Sequence, residues 1–294
     1  MDFMNAAQLL DLCGQQDISL AEAMRRREVE LTGVLRARND ERMRRTWQVM
    51  QDAIHTPLEN PARSMGGLIG GEAAKLDQRT KIQAPVCGAV VANAITYAIG
   101  VLEVNASMGL IVAAPTAGSS GVIPGAFAAV QAHLGHSEDD IVDALWCAAA
   151  VGYLITLNGT VSGAQGGCQA EVGSASAMAA AGVVQLMGGT PKTSLDAAGI
   201  AITNLLGLVC DPIAGLVESP CQTRNALGAA GALVAAELAL AGVALPVPFD
   251  EVVDAMSRVG ASLPYELRET ALGGVAATAT ACRLAAGGCG DCAK

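Results

Sequence analysis

The chain has 294 residues, 52% of them hydrophobic and 16% charged, with 34 glycines, 3% aromatics and a formal net charge of −10. That length is ample for a sizeable core. The negative balance argues against nucleic acid or an anionic membrane surface as a partner, and a core of Ala, Gly, Val and Leu suits helices whose backbones approach closely.

Residues 1–60 alternate charge with apolar positions at helical spacing: Arg25-Arg26-Arg27 and Arg42 to Arg45 against Leu31, Val34, Leu35, Met43, Trp47 and Met50. This predicts helices with a solvated face and an apolar stripe, rather than a basic arm for nucleic acid. His55-Thr56-Pro57 and Asn60-Pro61 end the segment. Ser64 to Glu72 (SMGGLIGGE) is a glycine-rich turn. No strand precedes it and no βα alternation follows, so it is not a dinucleotide fingerprint; helix closeness or a substrate-facing loop is the expected use.

Ile82 to Ser137 holds one charged side chain, Glu103. About twenty such residues could span a bilayer, but Pro85, Asn93, Asn105, Pro115, Thr116, Ser119, Ser120 and Pro124 interrupt the run. A buried helix over 82–110 and no membrane span are expected. Glu103 must then be paired, hydrogen-bonded or protonated. Ala113 to Gly125 (AAPTAGSSGVIPG) is a loop whose hydroxyls and free backbone N–H groups could hold a small carboxylate.

Asp139 to Leu157 reads as a helix capped by Ser137, with Cys147 as core filler. Asn158 to Glu171 (NGTVSGAQGGCQAE) is a second polar glycine loop and carries Cys168. Thr190-Pro191 or Thr193 opens a helix leading to Cys210, and further helices follow from Cys221 to about Leu240 and from Asp250 to about Val259. In SPCQ, Ser219 is a candidate N-cap, Pro220 suits the first helical position, and Gln222 completes a capping box. Cys221 would sit in the first turn, where the helix dipole favours a thiolate. No strand ladder and no fixed repeat is visible, so the fold is expected to be mostly α. The expected partition is an N-terminal charged helical extension (1–62), a single Ala/Gly-rich helical catalytic domain (63–280) and a Cys-containing tail (281–294).

Nine cysteines occur in a chain whose opening, MDFMNAAQLLDLC, lacks the basic and apolar regions of a secretory signal. A cytoplasmic protein with free thiols is expected rather than a disulfide framework. Cys168, Cys210 and Cys221 each sit at a helix–loop junction beside Gly or Pro, in the spacing C-x41-C-x10-C, with no histidine within twenty residues. That weakens a Cys/His zinc site. Two readings stay open: scattered buried cysteines, or three thiolates of an iron–sulfur cubane with one iron left open.

The segments SMGGLIGGEAAKL (64–76), VLEVNASMGLIVAAPTAGSSGVIPG (101–125), NGTVSGAQGGCQAEVGSASAMAAA (158–181), NLLGLVCDPIAGLVESPCQTRNALGAA (204–230) and FDEVVDAMSRVGASLPYELRETALGGVAAT (249–278) resemble the iron–sulfur L-serine dehydratases, specifically their catalytic alpha chain. The resemblance implies an oxygen-sensitive [4Fe–4S] cluster without pyridoxal phosphate, with Cys168, Cys210 and Cys221 as its metal ligands. It implies conversion of L-serine to pyruvate and ammonia, and a separate beta subunit that completes the site. In some members a cysteine at the extreme C-terminus caps the open iron, a role open here to Cys289 or Cys292. Ser120 stands where many relatives have Cys, which argues against that position as a ligand. Within the two polar loops, Thr116, Ser119, Asn158 and Ser162 are the expected substrate contacts, and His55, His133 and His136 are expected to be structural or exposed. The competing readings are cluster-dependent β-elimination from another small amino acid, as in cysteine desulfidation, and a non-catalytic zinc-bound or membrane-embedded helical protein.

Overall fold

A computed structural model describes residues 2–286; Cys289 and Cys292 lie outside them. The elements run α1 (Ala6–Gln16), α2 (Leu20–Thr32), α3 (Arg36–Glu59), α4 (Glu72–Ile82), α5 (Gly88–Ala106), α6 (Val122–Leu134), α7 (Glu138–Asn158), α8 (Gly163–Gly166), α9 (Ser174–Leu186), α10 (Pro191–Thr203), α11 (Cys221–Leu240), α12 (Phe249–Ser262) and α13 (Ala279–Ala286). Among the described residues there is no strand, only one isolated pairing of Cys210 with Arg268, so the fold is mostly α.

The middle of the molecule is α9, SASAMAAAGVVQL, in which every residue except Gln185 is buried. A helix apolar all round has no solvent face to offer, so it is enclosed by neighbours: α7, α10, α11 and α6. Its small side chains let those helices come close. A Cβ at Gly182 would run into the Phe127 ring, and one at Gly125 of α6 would lie 2.7 Å from the Ala94 carbonyl oxygen of α5. The larger buried groups, among them Phe127, Leu154 and Ile202, fill what remains; each contributes about 1.5–3 kcal/mol by leaving water.

Helix α7 starts on a complete capping box between Ser137 and Asp140, and α10 starts on Thr190 with Pro191 at its first position, as their sequences predict. The expected buried helix over 82–110 is shorter: residues 83–89 are exposed or intermediate and the helix occupies Gly88–Ala106. Pro85 and the positive φ of Gly88 turn the chain there. Helices α5 and α7 are long and apolar enough to cross a membrane, but 61% and 67% of their apolar windows are buried against other helices.

The N-terminal helices pack onto the rest of the chain. Trp47 and Met50 of α3 are buried, as the apolar stripe predicts, whereas Leu31 and Leu35 are exposed. Helix α2 lies on α7 and buries Arg25, whose guanidinium reaches Asp40 at 2.8 Å, Glu22 at 3.2 Å and Asp143, and lies over the Trp146 ring.

Candidate active site

Three chain segments deliver the three cysteines. Cys168 follows Gly167, whose φ of +75° turns the chain out of α8; a Cβ there would meet the Leu208 carbonyl at 2.9 Å. A single π-type turn over Gln169–Gly173 then leads into α9. Gln169 locks this turn in place. Its backbone N–H donates to the Leu208 carbonyl at 2.9 Å, its side-chain amide donates to Gly166 and Met256, and its Oε1 accepts from the Gly207 N–H. The segment fixed to Gln169 is the one that brings in Cys210. The backbone of Cys210 is held from its other side, donating to Leu267 at 2.9 Å and accepting from Glu269 at 2.7 Å.

Cys221 opens α11, as predicted, but the capping box does not form: no side-chain cap is made, and the cap position is Pro220. The Gln222 side chain is committed elsewhere, donating to Glu103 at 3.2 Å and Glu72 at 3.4 Å, while the Ser219 carbonyl accepts from the Ile213 N–H. The lone Glu103 is thus a hydrogen-bonded carboxylate, buried and also accepting from the Ala73 N–H at the start of α4.

Cys168, Cys210 and Cys221 are buried, free of disulfides, and close enough for their charges to act on one another. The thiolate expected at the helix start is overridden. Burial pushes Cys221 up to about 12, with the negative charge of Glu171 adding to it and Arg224 opposing. Burial likewise pushes Cys168 up to about 12 against the pull of Arg224. Cys210 is raised too, by burial first and then by Glu171 and the neighbouring sulfurs. In the metal-free chain these are three protonated thiols.

Glu171, in the π-type turn, stands among them. One oxygen accepts from the Thr116 hydroxyl at 2.8 Å, and the other lies 3.8 Å from the Cys210 sulfur. Burial raises its pKa, Thr116 opposes the shift and Glu269 adds to it. A Cβ at Gly163 would lie 2.6 Å from Glu171 and 3.1 Å from the Cys210 sulfur, so glycine keeps this side of the site open. A cation beside the sulfurs, Arg224, is held by the Val209 carbonyl at 2.8 Å and by Asp211 at 2.7 Å. Among the described residues no set of three or more His, Cys, Asp and Glu side chains closes around a single metal ion.

Of the four expected substrate contacts, Thr116 and Ser119 lie together at the site, their hydroxyls 3.1 Å apart, with Ser119 fully buried. Ser162 precedes Gly163 and so borders it. The Asn158 amide is engaged elsewhere, donating to the Met4 and Leu154 carbonyls. Sequence reasoning missed Glu171, although a signal was there. It is the only charged residue between Asp143 and Lys192, and it follows Cys168 by three positions. An apolar cavity of about 450 Å³ lies away from Cys221, lined by Leu233, Val234 and Leu240 of the far half of α11.

Comparison with known proteins shows the family. The family model described as serine dehydratase alpha chain matches residues 15–276. A probable L-serine dehydratase alpha chain of Bacillus subtilis is 44% identical over 278 residues, covering 95% of this chain and 92% of the relative. The L-serine dehydratase alpha chain of Peptoniphilus asaccharolyticus is 42% identical over 279 residues, covering 94% of each. An L-serine dehydratase of Helicobacter pylori strain J99 is 37% identical over 285 residues, which cover 94% of this chain but 62% of that longer protein. The chain belongs to the serine dehydratase alpha chain family.

Proposed function

We propose that this chain is the alpha chain of an L-serine dehydratase, holding a [4Fe–4S] cluster on Cys168, Cys210 and Cys221 and working with a separate beta chain. The observation that carries the reading is that three buried, unbridged cysteines from three different helix junctions all feel the charge of Glu171, which accepts from the Thr116 hydroxyl and lies 3.8 Å from the Cys210 sulfur. The donor set fits. Three buried, unbridged thiols are soft donors of the kind such a cluster takes. Loading must displace the three thiol protons, and Arg224 beside Cys168 offsets part of the negative charge that results.

In serine the β-hydroxyl is a poor leaving group and the α-proton is weakly acidic. When bound, the cluster supplies a Lewis acid for the departure of hydroxide. The chain's own residues orient and enclose. Glu171 accepts from Thr116 and so turns that hydroxyl's lone pairs toward Ser119 and the substrate side. The loop over 116–121 brings the Ala117 and Gly118 N–H groups for the substrate carboxylate, those of Ser119, Ser120 and Gly121 being bonded within the protein, and Gly163 leaves room beside the sulfurs. Loss of the β-hydroxide and the α-proton, together one water, gives 2-aminoacrylate, which tautomerises and hydrolyses to pyruvate and ammonia without further help from the protein. The beta chain closes the open side of the site. A reducing cytoplasm suits a chain whose seven described cysteines are all free thiols.

The test is an anaerobic assay for pyruvate from L-serine, with beta chain present and with iron and sulfide reconstituted. The expected result is brown protein with about four irons per chain, activity that depends on both additions, and bleaching in air. Colourless anaerobic protein carrying stoichiometric zinc overturns the cluster. Faster release of sulfide from L-cysteine than of pyruvate from L-serine moves the substrate to the desulfidation alternative.

A further inference from the structure

The start of α11 anchors more than Cys221. The Gln222 N–H donates to the Glu218 carbonyl at 2.9 Å, so Glu218 lies in the turn that leads into α11. Cys221 and Asn225, one helical turn apart, share one side of the start of α11. Asn225 is fully buried. Its Oδ1 accepts from the Gly121 N–H at 3.0 Å, and its side-chain amide donates to the Gly118 carbonyl at 2.7 Å and to the Cys221 carbonyl at 2.9 Å. Both ends of the loop behind Thr116 and Ser119 are thus tied to the turn that carries a sulfur. Glu218, also buried, does the same for the other glycine-rich loop. It accepts from the Ser64 hydroxyl at 2.7 Å, the Gly66 N–H at 2.6 Å and the Leu68 N–H at 3.0 Å.

We propose that Asn225 and Glu218 are positioning residues that hold the 116–121 and 64–68 loops in register with Cys221. The substrate-facing loops and one side of the sulfur site then keep a fixed spacing. Glycine-rich loops have few side chains to hold their shape, and these bonds restrict their freedom instead. The inference rests on the reading of this site as the serine site. Neither residue touches the sulfurs or the reacting atoms, so both act through the loops.

The experiment compares Asn225→Ala and Glu218→Gln with wild type as the assembled, iron-loaded enzyme, measuring kcat and KM for L-serine, iron per chain, and hydrogen exchange by peptide. Asn225→Ala should raise KM roughly tenfold or more, since it removes all three of its bonds to backbone groups, while iron per chain stays at the wild-type level. Exchange should quicken in the peptide containing Gly121 and not in that containing Gly66. Glu218→Gln, which turns an acceptor toward donors into a donor, should quicken exchange at Gly66 and Leu68 and leave Gly121 unchanged. If Asn225→Ala does not fold, Asn225→Asp preserves the volume and the bond from Gly121 but sets a carboxyl oxygen against the Gly118 and Cys221 carbonyls in place of the donor; a rise in KM is again expected. An unchanged KM with activity that merely follows iron content overturns the proposal, as does exchange that is unaltered at the matching loop. A wild-type enzyme that releases no pyruvate from L-serine refutes the functional reading before any variant is made, and the exchange results then still judge the bracing itself.

Discussion

Two of the places where the molecule buries polar groups treat them oppositely. At the N-terminal side, buried charge meets counter-charge: Arg25 lies among Glu22, Asp40 and Asp143, Arg36 bonds Glu22, and Asp40 also accepts from the Trp146 N–H. At the sulfur site, like meets like. Three thiols face Glu171 and Glu269, and Arg224 is the cation that acts on them. The first cluster is complete by itself and holds helices together. The second leaves its thiols raised by burial and by the Glu171 charge, with Arg224 opposing the shift at Cys168 and Cys221. Perturbed groups gather where we propose the working site, and satisfied ion pairs gather in the scaffold.

The sharpest way to break this contrast is to remove one sulfur. Cys168→Ala, Cys210→Ala or Cys221→Ala should each abolish iron binding and pyruvate formation, while Cys147→Ala, equally buried but packed between α7 and the Ala181 carbonyl, should keep its iron. Iron and sulfide analysis of anaerobic protein decides it; a Cys210→Ala protein with full iron would show that the ligand set is wrong. Next in size is the scaffold cluster. Arg25→Met leaves three carboxylates without their shared cation and should cost about 3 kcal/mol in urea unfolding, with iron per chain unchanged. Loss of iron in that variant would mean the two regions are not separable.

A smaller effect is expected at Thr116. Thr116→Val keeps the shape and removes the hydroxyl that bonds Glu171, so kcat/KM should fall about tenfold, read in steady-state kinetics against matched iron content; an unaltered value would remove Thr116 from the site. The smallest effect is one of pH. Burial alone would raise Glu22, but hydrogen bonds from Arg36, Arg26 and Arg25 and the charge of Arg36 bring it from 4.5 to about 2. Because the folded value lies below the unfolded one, its contribution is present in full above about pH 4.5 and is lost as the pH falls toward about 2. The stability gap between wild type and Glu22→Gln should therefore be constant near neutrality and shrink through that window. A gap that persists at pH 2 would show that the loss comes from packing.

Much of the molecule is legible from its residues. The helical fold follows from the absence of alternation and from caps at Ser137 and Thr190, and the three cysteine junctions stand out because each pairs a sulfur with Gly or Pro at a helix end. Thr116 and Ser119 show themselves as hydroxyls in a glycine loop. The capping box at Ser219 fails because propensity counts only local partners, and Gln222 finds better ones more than a hundred residues away in Glu103. Asn158 misleads for a related reason: its amide belongs to the end of α7 and to Met4 at the other end of the sequence.

What the sequence by itself determined is the set of local pieces: which stretches are helical, where they start, and which cysteines sit where a backbone can turn. These depend on caps, periodicity and glycine, all readable within a few residues. Only the tertiary structure decided which pieces meet. It placed Glu171 against Thr116 and Cys210, joined Glu218 and Asn225 to loops on opposite sides of Cys221, and reversed the expected ionisation of Cys221. A helix dipole acts over one turn, whereas burial is set by everything that packs around the turn, and at Cys221 burial outweighs the dipole.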